Sequence, residues 1–154
     1  MRVLIVAGLA AALGGCAAAQ VTRTSANTMQ IDAGAAPACG SAGAAKVAAK
    51  SAAIETVRAG FERYIIVGSQ AQNNVSVSQM PGSFQTSGTY GGGSYNATST
   101  YVPGPTIVSG SHDRALSVVM FKPGDAGFEN ALDAKQQLGP EWPELVKTGI
   151  RTCL

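Results

Sequence analysis

Ser111-His112-Asp113 places the three residue types of a nucleophilic relay side by side. A triad needs all three side chains to converge on one another. In an extended segment successive side chains point to opposite faces, so this run reads as a polar turn ahead of a strand that begins at Ala115. His112 is the sole histidine, which leaves too few ligands for a histidine-rich metal site. Asp125, Glu129 and Asp133 recur at intervals of four. On a helix Glu129 and Asp133 would share a face, where paired carboxylates serve acid–base chemistry or hold a hard cation. The plainer alternative is a set of acids near a helix N-terminus, favoured by the macrodipole. Gln70, Gln72, Asn73 and Asn74 form an amide cluster suited to a polar ligand or to ordering a turn. The chain has no G-x-S-x-G elbow, H-E-x-x-H pair or Walker loop. A non-enzymatic role without a cofactor or metal is therefore the leading expectation, with a carboxylate-dependent hydrolase a distant alternative.

The most specific chemistry lies at the N-terminus. Arg2 is followed by an uncharged apolar run from Val3 to Leu13. At about 20 residues needed for a spanning helix, this run is too short to be a permanent one and has the pattern of a secretory signal. It ends in Leu13-Gly14-Gly15-Cys16, which resembles the lipobox of bacterial lipoproteins. That resemblance implies cleavage before Cys16, diacylglycerol on its thiol and acylation of the new amino terminus, palmitate being one such chain. Several acyl chains, at about 0.8 kcal/mol per buried methylene, give stable anchoring where one would not. Ala17 stands where an aspartate would imply retention on the inner membrane, so the resemblance implies the outer membrane, facing the periplasm.

Assigning Cys16 to lipid leaves Cys39 and Cys153 in an oxidising compartment, where an even remainder invites a disulfide. Two free thiols are the alternative. A metal pair would need more ligands than two cysteines and one histidine supply. The formal net charge of the 154-residue chain is +2, and losing Arg2 leaves ten basic against nine acidic side chains. That balance excludes the basic patch expected of a nucleic-acid binder.

The elements that must position these residues follow from patterning. Residues 1–15 form the signal peptide and residues 16–27 the lipidated cysteine and a tether without periodicity. Residues 28–154 form a single domain. Thr28 to Ala33 alternates weakly as a first strand. Ser41 to Arg58 is an alanine-rich helix, with Ala44, Val47, Ala48, Ser51, Ile54 and Phe61 along one stripe and Gly60 as its cap. Tyr64 to Val67 reads as a central strand. Ala115 to Phe121 is a further strand, Glu129 to Leu138 a second helix, Glu141 to Lys147 another helical turn, and Ile150 to Leu154 a closing strand with Cys153. The resulting β-α-β…β-α-β order predicts an α+β fold, a small mainly antiparallel sheet with helices on one face. A ferredoxin-like topology is one candidate, although its neighbouring first and last strands would separate the two cysteines.

Residues 80–105 interrupt this order with a Gly/Ser/Thr/Tyr-rich excursion that carries no charge and cannot build a core. A mobile loop or loose hairpin is expected. Phe84, Tyr90, Tyr95 and Tyr101 make it a candidate contact loop, because tyrosine gives large contact area at low entropy cost. Its partner would be an envelope protein or peptidoglycan, and a sensing role is the alternative.

Ala52 to Val67, an alanine-rich helix closed by Gly60, an aromatic at Phe61 and an apolar strand, resembles a pattern in small bacterial lipoproteins that lack an assigned activity. The resemblance implies an envelope setting and no catalytic residues. A fainter similarity, to Rcs-type stress-sensor lipoproteins with cysteine-stapled domains, rests on Cys39 and Cys153 alone.

Overall fold

The computed structural model describes residues 17–153. The expected signal peptide, with Leu13, Gly14 and Gly15, and the expected lipid site Cys16 lie outside the described residues. The strands are β1 (Ala17–Arg23), β2 (Thr28–Ala35), β3 (Arg63–Asn73), β4 (Ser76–Gln79), β5 (Ser83–Gly91), β6 (Ser94–Val102), β7 (Thr106–Ser109), β8 (His112–Phe121) and β9 (Leu132–Asp133). The helices are α1 (Gly40–Arg58), α2 (Ala134–Leu138) and α3 (Trp142–Thr148), with single 3-10 turns at Pro37–Cys39 and Phe128–Asn130.

The main sheet is antiparallel between neighbours, in the order β1-β2-β8-β3-β9. The fold is α+β, with the helices against a mainly antiparallel sheet. β2 and β3 run parallel on either side of β8 and are linked through α1, which is the split β-α-β unit of a ferredoxin-like sheet. The outer place beside β2, which a last strand would take in that topology, is held by β1.

Two expectations change here. The segment from Ala17 is an edge strand rather than a tether, because its extended backbone finds a full ladder against β2, from Ala17 opposite Ala35 to Arg23 opposite Met29. Residues 150–153 form no strand. They run irregularly past α1, and that path brings Cys153 to Cys39 at the start of the helix, with Cα atoms 5.9 Å apart in a disulfide. The two cysteines therefore meet although the last segment adds no strand to the sheet.

The core lies between α1 and one face of the sheet. Met29, Ile31, Ala33 and Ala35 alternate inward from β2, and Leu116, Val118 and Met120 do so from β8. Tyr64 joins them from β3, and its burial raises the phenol pKa above the ordinary 10.0. The helix contributes Ala44, Val47, Ala48, Ala52, Ala53 and Ile54, all buried. Small side chains allow the helix close to the sheet, so packing density rather than bulk fills this core. The buried Thr56 hydroxyl donates to the Ala52 carbonyl at 2.7 Å. Behind Arg58, Gly60 N–H donates to Val57 and Phe61 N–H to Thr56, the paired bonds of a Schellman ending.

β3 is not the centre of the sheet. β8 is, and β3 is bordered on its far side only by the two residues of β9. A bulge between Ile66 and Gly68 interrupts its pairing with β8, and Val67 is left 63 % exposed. The apolar run Ile65-Ile66-Val67 thus reflects a bulged strand rather than one buried on both faces.

The predicted helix over Glu129–Leu138 is divided into a 3-10 turn, β9 and α2. β9 pairs with Arg63 and Tyr64, so backbone pairing with the sheet outweighs helical continuation there. α3 packs at the C-terminal end of α1, where Arg58 Nε donates to the Val146 carbonyl at 2.7 Å.

Candidate functional site

Two surfaces stand apart from the core. The first is the sheet face opposite α1. Residues directly opposite in a ladder share a face, so the register sets Gln20, Asp32, Ala115 and Gln70 in one row and Ala18, Gly34, Asp113 and Gln72 in the next. Together they line a shallow groove of about 730 Å³. Asp113 Oδ2 accepts from Asn74 Nδ2 at 2.6 Å, and Asp32 Oδ1 accepts from Gln30 Nε2 at 3.4 Å. Asn73 turns its amide inward to the chain, its Oδ1 accepting from Val75 N–H at 3.1 Å. The amide cluster is therefore divided: Gln70 and Gln72 face the groove, while Asn73 and Asn74 order the strand exit. Asp32 was missed in the sequence because the alternation of β2 is weak and its partner, Ala115, lies 83 residues further on.

The same parity separates Ser111-His112-Asp113. Asp113 faces the groove with Gly34, and His112 faces the helix side with Ala35. His112 Nδ1 is buried and has no hydrogen-bond partner among the described residues. The three residues form no relay. Asp125 Oδ2 accepts from Lys122 N–H at 2.7 Å, and Asp133 Oδ1 caps α2 by accepting from Gln136 N–H at 2.9 Å. The Glu129 side chain is 88 % exposed and 3.7 Å from Arg63. The helical break described above thus removes the carboxylate pair: Asp125 and Asp133 order turns, and Glu129 points to solvent. Among the described residues no three His, Cys, Asp or Glu side chains are grouped to hold a metal ion, and no helix is long and apolar enough to cross a membrane.

The second surface is an arm. Beyond Asn73 and His112 the two strands leave the sheet but keep pairing with each other, first as β4–β7 and then as β5–β6. Of the two expected forms, a mobile loop or a loose hairpin, the chain takes that of a long antiparallel hairpin. Gly92 and Gly93 form its two-residue turn, with φ of 62° and 82°, which is the left-handed geometry that matches strand twist in a hairpin. Pro81-Gly82 on one strand and Pro103-Gly104-Pro105 on the other separate the two ladders at the same level, where Met80 N–H donates to the Pro105 carbonyl at 3.0 Å.

Register gives this hairpin two unlike faces. Phe84 is opposite Tyr101, Thr86 opposite Ser99, Gly88 opposite Ala97 and Tyr90 opposite Tyr95. All four candidate contact residues therefore lie on one face. The other face carries Gln85, Ser87, Thr89, Asn96, Thr98 and Thr100. Phe84 and Tyr101 pack with ring centroids 5.1 Å apart. The Tyr95 ring lies across Gly88 and the Tyr101 ring across Gly82, in space that any Cβ at those glycines would occupy. Even so the four rings remain 53–77 % exposed. No residue from Ser76 to Ser109 is buried, and none of Lys, Arg, Asp or Glu occurs between Arg63 and Asp113. The sequence signalled this site through aromatics spaced by small residues; it did not signal the shared face, which depends on the turn having two residues.

Protein-family models, curated proteins and solved structures yield no match to the chain.

Proposed function

We propose that this chain is a bacterial envelope lipoprotein, anchored through Cys16 in the outer membrane and facing the periplasm, whose body serves to present the β5–β6 arm as a contact element. The observation that carries this reading is the single-faced set Phe84, Tyr90, Tyr95 and Tyr101, exposed on an arm that adds nothing to the core. Large exposed apolar side chains gathered on one surface mark interaction sites, and here all four lie on one face of the hairpin. The four rings together offer several hundred Å² at roughly 150–250 Å² each. The lipobox resemblance supports the anchor, and the Cys39–Cys153 disulfide fits an oxidising compartment.

Two measurements test the reading. The mass of the amino-terminal peptide should match an acylated Cys16, and globomycin should cause the precursor to accumulate. An unmodified peptide with unchanged precursor size would overturn the anchor. Cross-linking in whole cells should capture envelope components with the full chain and lose them when residues 82–103 are deleted. Equal capture by both would overturn the role of the arm.

A second reading draws on the groove. Asp113 and Gln72 pair one residue before the Asn73–His112 pair at which the arm begins, so a polar ligand held there would touch the strands that carry it. This is the sensor form of the same proposal. It predicts that Asp32→Ala and Gln70→Ala abolish a response while the arm still binds.

A further inference from the structure

The two aromatic pairs of the arm are built to one plan. Gly82 stands two residues before Phe84, and Gly88 stands two residues before Tyr90. The opposing strand sets Tyr101 across from Phe84 and Tyr95 across from Tyr90. In both pairs the β6 tyrosine leans diagonally over the ladder, so that its phenol end lies above the glycine of β5 or of the residue before it. The spacing also repeats: Gly82 to Gly88, Phe84 to Tyr90 and Tyr95 to Tyr101 are six residues each. At about 3.3 Å per residue the two stations lie roughly 20 Å apart along one face.

Each station holds a tyrosine against the backbone and leaves it more than half exposed. The face of an aromatic ring carries the negative side of its quadrupole, which attracts the polarised C–H groups on the apolar face of a sugar ring. Between the stations Thr86 and Ser99 hydroxyls bond each other at 2.7 Å. That bond uses one of their two protons, so the pair keeps a donor and free lone pairs for sugar hydroxyls. The only other side chain between the stations on this face is the Ala97 methyl, opposite Gly88. No bulk interrupts a chain laid along it.

Two features narrow the occupant. None of Lys, Arg, Asp or Glu occurs between Arg63 and Asp113. A single-stranded nucleic acid also stacks on aromatics, but it needs a basic groove for its phosphates, and any polyanion meets the same lack of cations. An uncharged face matches an uncharged partner. The second feature is the repeat. One small molecule needs one station, whereas like stations at a fixed interval match a polymer that presents the same unit again and again.

We propose that the aromatic face of the β5–β6 hairpin binds a neutral polysaccharide strand, with sugars of one chain stacked on the Phe84–Tyr101 and Tyr90–Tyr95 stations. The proposal rests on the reading of the arm as a contact element and names its partner; it does not depend on the anchor.

The test uses the full-length protein in detergent, oxidised at Cys39–Cys153, with binding followed by amide chemical shifts. The probes are oligomers of N-acetylglucosamine and of glucose. An oligomer that reaches both stations should bind about tenfold or more tightly than a disaccharide, because the second contact becomes intramolecular. Tyr95→Thr and Tyr101→Thr keep a strand former and remove one station each. Either should lower the long oligomer to the affinity of the disaccharide, which still binds the remaining station. The double variant should bind neither. Gly88→Thr keeps all four rings but occupies the space under Tyr95, so it should act as Tyr95→Thr does. Thr100→Ala, on the opposite face, should leave binding unchanged. No binding of either oligomer, an affinity independent of length, or loss of all binding on one substitution would overturn the proposal. Equal binding of oligogalacturonate would overturn the preference for a neutral chain. Cross-linking in whole cells separates this from the underlying reading. A protein captured through the arm, without oligomer binding, would overturn the polysaccharide alone. Capture that does not depend on residues 82–103 would overturn the contact element itself.

Discussion

The body and the arm both consist of paired β-strands, yet they are held by different means. In the body, β2 and β8 lay Ile31 and Leu116 on one face, and α1 covers them. A disulfide then ties the start of that helix to the end of the chain. In the arm, β5 and β6 set Phe84 and Tyr101 on one face, and among the described residues nothing covers them. Ladder hydrogen bonds are common to both. The difference shows that pairing alone does not make a core: an isolated two-stranded hairpin is marginal in water, whereas the same ladder under α1 excludes solvent. The body should therefore determine stability, and the arm should be available for contacts made elsewhere.

The largest effect that can break this comparison is loss of the disulfide. Cys39→Ser with Cys153→Ser frees a separation of 114 residues, and the chain-entropy account predicts a loss of about 4–5 kcal/mol, read as a fall in the urea midpoint. A loss below about 1 kcal/mol would mean that α3 and the last residues are held without the bridge. Ile31→Ala comes next. The side chain is fully buried, so about 2–5 kcal/mol should be lost. Asp133→Ala removes the cap on α2 and should cost about 1 kcal/mol. The smallest effect belongs to the arm. Tyr95→Ala should leave the urea midpoint of the body unchanged within about 0.5 kcal/mol; a larger shift would join the arm to the core.

The parts of this division that were legible in sequence are those encoded locally. α1 is predicted within a residue, because alanine content and the stripe from Ala44 to Ile54 act over single turns. The strand at Ala115–Phe121 was likewise visible; the pairing of Cys39 with Cys153, 114 residues apart, was legible by elimination once Cys16 was set aside. The parts that were hidden depend on distant partners. Ala17–Arg23 has no apolar alternation and becomes a strand because β2 offers it an edge. Glu129 and Asp133 keep helical spacing, yet β9 pairs with β3 between the turn and α2, and the expected carboxylate pair is gone. The arm was recognisable as a region without a core, but its aromatic face follows from the Gly92-Gly93 turn, which fixes register over nine pairs. A turn one residue longer would have set Phe84 and Tyr90 on one face and Tyr95 and Tyr101 on the other.

The most direct test of the division is to delete residues 82–103 and join Pro81 to Gly104, which already face each other across the arm. Equilibrium urea unfolding of the shortened and full chains, both oxidised, is then compared. A single cooperative transition with a midpoint within about 0.5 kcal/mol of the full chain is predicted. Loss of cooperativity, or destabilisation by several kcal/mol, would show that the arm is part of the fold and contradict its role as a free contact element.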